Sequence, residues 1–277
     1  MTRVRDIHRL IAAWAPQQIA WERDNVGLQV GDAEDEVSGV LVCLDCTLEV
    51  VREAKRKKAN LIVSHHPLLF RPPKSITKHD SVGRLVHELI AQKMNLYSAH
   101  TNLDFTRGGT SFAIAEALGL EKVEFLQRSY QVQRKVVTFV PEDRVAAVRE
   151  AMAKAGAGII GNYDHCSFAM SGTGSFRGNE LTAPARGSKE QLEQLPEVRL
   201  EMIVDQWKVN EVVSALKSAH PYEEVAFDVY PLENFSTEYG MGIIGTLKRP
   251  MQTKAFLSFL KRQLRVKRLR HSVGTGK

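Results

Sequence analysis

Two short apolar runs stop at histidine, and the residues after each run limit the fold more than any other feature of the chain. The first, Leu61-Ile62-Val63-Ser64, ends in His65-His66-Pro67. The second, Asn95 to Ala99, ends in His100-Thr101-Asn102-Leu103-Asp104. Continuous apolar strands without alternation belong to sheets covered on both faces, which are usually parallel. In an open α/β sheet, chemistry collects at the carboxyl ends of such strands. Two strand ends that deliver imidazoles and a carboxylate suit a hard or borderline divalent metal.

The surrounding pattern reads β-α-β-α-β. Val4, Ile7, Leu10, Ile11 and Trp14 form a helical stripe, and Asn25 to Asp32 is a short strand with glycine turns. Gly39 to Asp45 is a further apolar strand. Thr47 is placed to cap a helix running through Lys58, with Glu49 and Glu53 early and Lys55 to Lys58 late, as the helix dipole favours. Asp80 to Lys93 is amphipathic through Val82, Leu85, Val86 and Leu89. The expectation for residues 1–127 is an α/β layer sandwich.

Around Gln127 the pattern changes. Val132 to Val140 alternates, Glu142 to Ala155 is helical, and Asp164 to Phe176 and Val198 to Asp205 read as strands. Trp207 to Ala219 is helical again and Val225 to Leu232 alternates. That order, β-α-β-β-α-β, predicts an inserted ferredoxin-like α+β module over 128–235. Residues 236–277 add a glycine-rich strand, Gly240 to Leu247, and a helix with Phe256, Phe259, Leu260 and Leu264 on one face. They read as the start of an incomplete C-terminal α/β lobe, whose apolar stripe is expected to be partly solvent-exposed.

Several constellations have rival readings. Side chains of adjacent residues on a straight strand point to opposite faces. His65 and His66 therefore converge only where the backbone turns, unless each serves a different ion of a pair. With Asp104 they read as metal ligands; the rival is a hydrogen-bonded histidine pair at a turn. His100 is open to three roles: ligand, partner behind a ligand, or proton carrier. Its closeness in sequence to Asp104 favours the second. Asp45 either points into the site or caps the next helix. Cys43-Leu44-Asp45-Cys46 has CxxC spacing, but only Cys166 remains to complete a zinc ribbon. Cys43 reads as core and Cys46 as incidental. His220-Pro221-Tyr222-Glu223-Glu224 reads as a helix stop followed by an edge strand. Gly240-Met241-Gly242 lacks nucleotide-loop spacing.

The net charge of +6 is local. Lys248 to Lys277 holds ten Lys or Arg and no acidic residue, so the remainder carries a net −4. No aromatic platform or nucleic-acid motif accompanies that basic segment, which reads as a solvated helix face. No apolar run approaches membrane-spanning length. The first residues lack a secretory apolar core, and three cysteines are too few for a disulfide framework. A reducing cytoplasm is therefore expected.

These residues together resemble the NIF-three-like dinuclear-metal family, often labelled GTP cyclohydrolase 1 type 2 homologues. Trp21 to Asp32, WERDNVGLQVGD, is similar to its N-terminal signature; Ser64 to Pro67 resembles its SHHP motif and Ala99 to Asp104 its AHTNLD motif. His220 to Leu232, followed by GMGIIG, resembles the long subfamily with a PII/CutA-like insert. The resemblance implies that His65, His66 and Asp104 ligate two divalent ions (zinc, iron or manganese), and His100 then suits proton movement. It implies a hydrolase acting on a purine nucleotide, or else a non-catalytic metal-binding scaffold or regulatory interaction protein. A homo-oligomer, a hexamer in the family, is the expected assembly, without membrane or nucleic-acid partners. The family's two further ligands, a His and a Glu, come from a C-terminal motif that this sequence does not contain, so the chain is expected to be a C-terminally truncated member with an incomplete, weakly binding centre.

Overall fold

A computed structural model describes residues 1–272. The described elements are α1 (Val4–Trp14), β1 (Gly27–Val30), β2 (Val40–Cys43), α2 (Leu48–Arg56), β3 (Leu61–Ser64), α3 (Ser81–Ala91), β4 (Asn95–Ser98), α4 (Thr101–Asp104), α5 (Thr110–Ala117) and β5 (Leu120–Tyr130). Next come β6 (Gln133–Val140), α6 (Val145–Lys154), β7 (Ser167–Phe176), β8 (Glu193–Asp205), α7 (Val209–Ala219), β9 (Phe227–Pro231), β10 (Phe235–Leu247) and α8 (Thr253–Gln263). The chain divides into two compact units: residues 1–127 with 238–277, and residues 128–237. Of residues 236–277, expected to begin a separate lobe, those described from 238 on cluster with 1–127.

In the first unit, one sheet has the order β1-β4-β3-β2. β2, β3 and β4 are parallel, and β1 runs antiparallel along β4. Alternate residues of the two central strands enter two different cores. Ile62 and Leu96 pack with Val51, Ala54, Leu85, Val86 and Leu89 from α2 and α3. Leu61 and Tyr97 pack with Val4 of α1 and with Ala99. Burial on both faces explains why these strands are apolar throughout. The Thr47 hydroxyl accepts from the Val50 N–H and caps α2, while the Asp80 carboxylate accepts from the Gly83 N–H and caps α3; each satisfies an N–H that the first turn leaves open.

β5 and α5 escaped the sequence reading. β5 pairs with β10 in a two-stranded sheet, and the chain passes from one unit to the other within β5 and returns within β10. In α8 none of the side chains is fully buried: Phe256, Phe259 and Leu260 are half-buried and Leu264 is exposed. Its flanking Lys261, Arg262 and Arg265 form no ion pair among the described residues.

The 128–237 unit has one four-stranded antiparallel sheet in the order β7-β8-β6-β9. Val136, Val140, Leu200, Met202 and Val204 bury one face against Val148 and Met152 of α6 and Val212 and Leu216 of α7. Burial alternates residue by residue along β8, as a sheet covered by helices on one face predicts, whereas in β6 Val136, Val137 and Thr138 are all buried, so the alternation expected there does not hold. No helix among the described residues is long and apolar enough to cross a membrane.

Candidate metal centre

The sheet of the first unit places the histidines through its backbone. Beyond the strand ends the ladder continues: the His65 N–H donates to Cys43 O at 3.0 Å, the His66 N–H to Leu44 O at 2.9 Å, and the Ala99 N–H to Ser64 O at 3.0 Å. The chain then bends at His65 and His66, and the Ser64 hydroxyl donates to His66 O at 2.9 Å across the bend. This turn is the condition under which two adjacent imidazoles face one point. Their ring centroids lie 5.2 Å apart, and that of His100 lies 5.1 Å from His65 and 5.6 Å from His66.

One ring nitrogen from each of His65, His66 and His100 falls within 4.8 Å of the others, and the cluster is able to hold a metal ion. Each Nδ1 is committed elsewhere. That of His65 meets Ala99 O at 2.9 Å, that of His66 meets Asp45 Oδ1 at 2.8 Å, and that of His100 meets both Asp24 oxygens at 2.9 Å. An acceptor on one ring nitrogen fixes the tautomer and leaves Nε2 as the donor to a metal, which is the usual arrangement of ligating histidines. Asp104 sits one helical turn after His100, and its Oδ1 lies 3.6 Å from His65 Nε2. His65, His66, His100 and Asp104 are thus brought together at two adjacent strand ends.

Two anchors were not apparent, or only half apparent, in the sequence. Asp24 is the partner of His100, a role that proximity had suggested for Asp104. Its carboxylate is buried and also accepts from the Thr101 hydroxyl and N–H and the Asn25 N–H. Burial raises its pKa, but the hydrogen bonds from Thr101, His100 and Asn25 outweigh that and hold the carboxyl below its ordinary range. It lies inside the WERDNVGLQVGD segment, the one signal that pointed to it. Asp45 faces His66 rather than capping α2, because Thr47 supplies the cap. Buried Asn102 locks the turn: its carbonyl accepts from the His100 N–H at 2.9 Å, and its amide donates to Ala15 O at 2.8 Å.

Beside the centre, Cys43 and Cys46 are free thiols. Burial and then Asp45 push the Cys43 pKa up; burial and then Cys43 push that of Cys46 up to about 12. The group of possible ligands formed by His65, His66 and His100 does not include either thiol. Exposed Phe70 stands edge-on to His100 with centroids 6.3 Å apart.

Residues 2–277 match the family model Duf34/NIF3 (NGG1p interacting factor 3). A protein of Halalkalibacterium halodurans named GTP cyclohydrolase 1 type 2 homolog is 40% identical over 92% of this chain and 68% of its own length. One of the same name from Bacillus subtilis is 39% identical over 96% of this chain and 72% of its own. Among solved structures, a Bacillus cereus protein related to NIF3 is 41% identical with a TM-score of 0.81, covering 96% of this chain and 71% of that one.

Proposed function

The chain belongs to the Duf34/NIF3 family, and on that premise we propose that the corner formed by His65, His66, His100 and Asp104 is a divalent-metal centre serving hydrolysis of a purine nucleotide. The observation that carries the reading is that three imidazoles, each with its Nδ1 held by an acceptor, bring one ring nitrogen apiece within 4.8 Å of one another. Imidazoles with one carboxylate fit zinc, iron or manganese, and Asp104 is the carboxylate that would hold a divalent ion alongside them. A divalent ion held there supplies Lewis acidity and a nucleophilic water at neutral pH.

The chain's own residues do the positioning. Ala99 O and Asp45 fix the rotation of His65 and His66. Asp24 fixes His100, which serves either as a third ligand or, held against Asp24, as the group that carries protons. His66 is the most exposed of the three imidazoles and marks the open side of the centre. We read the 128–237 unit, with its β-α-β-β-α-β order, as a ferredoxin-like, PII/CutA-like insert in a homo-oligomeric protein. That unit contributes no residue to the cluster. This favours a second reading in which the centre is a non-catalytic scaffold and the insert regulates interactions.

Titration with zinc and manganese, followed by turnover of GTP and a nucleotide panel, tests both. Saturable binding lost by roughly 100-fold or more in His65→Ala supports the centre, since outer partners alone carry ~10–100-fold. Turnover only in the metal-loaded protein supports the hydrolase, and binding without turnover supports the scaffold. Unchanged affinity in His65→Ala and His66→Ala overturns the centre. His100→Ala that keeps affinity but loses turnover assigns His100 to proton transfer.

A further inference from the structure

The 128–237 unit carries a cavity of about 550 Å³ that the metal centre does not use. It lies on the sheet face opposite α6 and α7. Register explains its shape. Met170 pairs with Arg199 and Gly172 with Glu197, while Phe139 pairs with Arg199 from the other side. These residues alternate with Val198 and Leu200, which point into the helix-covered core. β7 has glycine at 172 and 174, so the strand offers bare backbone as a floor. A Cβ at Gly172 would meet nothing within 4 Å, whereas one at Gly174 would lie 1.9 Å from Glu197 Oε2. Glycine in a strand interior commonly marks such a close approach. Gly174 leaves the room that the Glu197 carboxylate occupies, and Gly172 leaves room that is empty.

The walls are mostly apolar, from Phe139, Met170, Phe176 and Ala226. The loop between β7 and β8 closes over them, tied down where the Ala183 N–H donates to Glu223 Oε1 at 2.7 Å and Arg186 pairs with Asp143 at 2.6 Å. The charges are unbalanced. Arg199 is engaged by Glu201 at 2.7 Å and Arg186 by Asp143, and Arg177 is solvent-exposed. Glu197, half-buried, lines the cavity without an ion pair among the described residues, whereas Glu223 and Glu224 are solvent-exposed like Arg177. Next to Glu197, the buried Tyr222 hydroxyl lacks a well-formed hydrogen bond within the protein. Burial first, and Glu197 second, push it up to about 12, so it remains a neutral donor beside a carboxylate. A concave apolar site with a few convergent polar groups is the ordinary form of a small-molecule pocket, and the half-buried Glu197 carboxylate is the charge in it that has no cation partner among the described residues.

We propose that this cavity binds a small organic cation: an amine whose apolar body lies over Gly172 between Phe139 and Phe176, and whose charged head meets Glu197. Phe176 adds to the preference for a cation, while the Phe139 ring is already faced by the Arg199 guanidinium at 5.8 Å. Phosphorylated ligands are disfavoured, because the two arginines facing inward already have carboxylate partners.

Amide and side-chain NMR of the full chain tests this with phenethylamine, its neutral isostere 2-phenylethanol, and the anion 3-phenylpropionate. The expected result is saturable binding of phenethylamine at least about tenfold tighter than the alcohol, with shifts centred on Gly172, Gly174 and Tyr222 and no saturation by the anion. Glu197→Gln, which keeps the shape, should erase the preference of amine over alcohol. Gly172→Leu fills the empty floor and should abolish binding of both while the remaining spectrum stays folded. Equal binding of alcohol and amine, tighter binding of the anion, amine shifts confined to another surface, or no saturation by about 10 mM amine would each overturn the proposal.

Discussion

At the ends of β3 and β4, three imidazoles each have one nitrogen tied to a neighbour. On the open face of the 128–237 sheet, three carboxylates stand around a cavity with no ion pair among the described residues. The first arrangement is a site whose donors are oriented before any ligand arrives. The second has its shape fixed by glycine and apolar walls, and its charge left unmet. The difference stems from the sheets. The central parallel strands β3 and β4, buried on both faces, leave only their ends for polar chemistry, whereas an antiparallel sheet covered on one face has the other free.

Damage to one region should leave the other intact. Leu200 is fully buried under α6 and α7, and Leu200→Ala should destabilise the 128–237 unit by about 2–5 kcal/mol. Chemical denaturation measures the loss, and zinc titration of the still-folded variant should give unchanged affinity. Weaker zinc binding would break the comparison by showing that the units share their energetics. On the metal side, Asp24→Asn keeps the volume but weakens the hold on His100 Nδ1. The expected cost is ~10–100-fold in metal affinity, measured by competition with a chromogenic chelator, with near-native stability. An unaltered affinity would mean that orientation of His100 does not matter.

The smallest effect concerns pH. His220 is buried; burial lowers its pKa, and its hydrogen bond to Phe139 O and the charge of Glu197 only partly oppose that. Its folded value therefore lies below the unfolded one of about 6.5. In that window the unfolded chain binds more protons, so stability rises with pH. The contribution is complete above about pH 6.5 and is lost as pH falls towards the folded value. Denaturant midpoints of the wild type should drop over that interval, and His220→Gln should flatten the drop; a midpoint that rises on acidification would reverse the assignment.

His65, His66 and Asp104 were legible because they come directly after apolar runs that have one structural reading. Asp24 was not, since it lies 76 residues from His100 in a segment without periodicity, and only the folded turn brings them together. The two readings of Asp45 were separable only by seeing which oxygen reaches the Val50 N–H, that of Thr47. β5 was hidden because LEKVEFLQRSY mixes charge with apolar residues at neither period, and its partner β10 is rich in glycine. The strands of this unit were plain in the sequence, but the cavity was not. It depends on which β7 residues stand opposite Glu197 and Arg199, and register across a long loop leaves no local trace.

The amides of His65 and His66 are bonded to the carbonyls of Cys43 and Leu44, so the imidazoles inherit their places from the pairing of β2 with β3. A slip of one residue along β2 would detach His66 from Asp45 and turn alternate side chains over. A metal ion would then bind only chains whose sheet had closed in the correct register, and by binding it would draw the population towards them. The centre would in this way act as an inspector of its own assembly, rewarding the correctly paired sheet and giving a misaligned one no rescue.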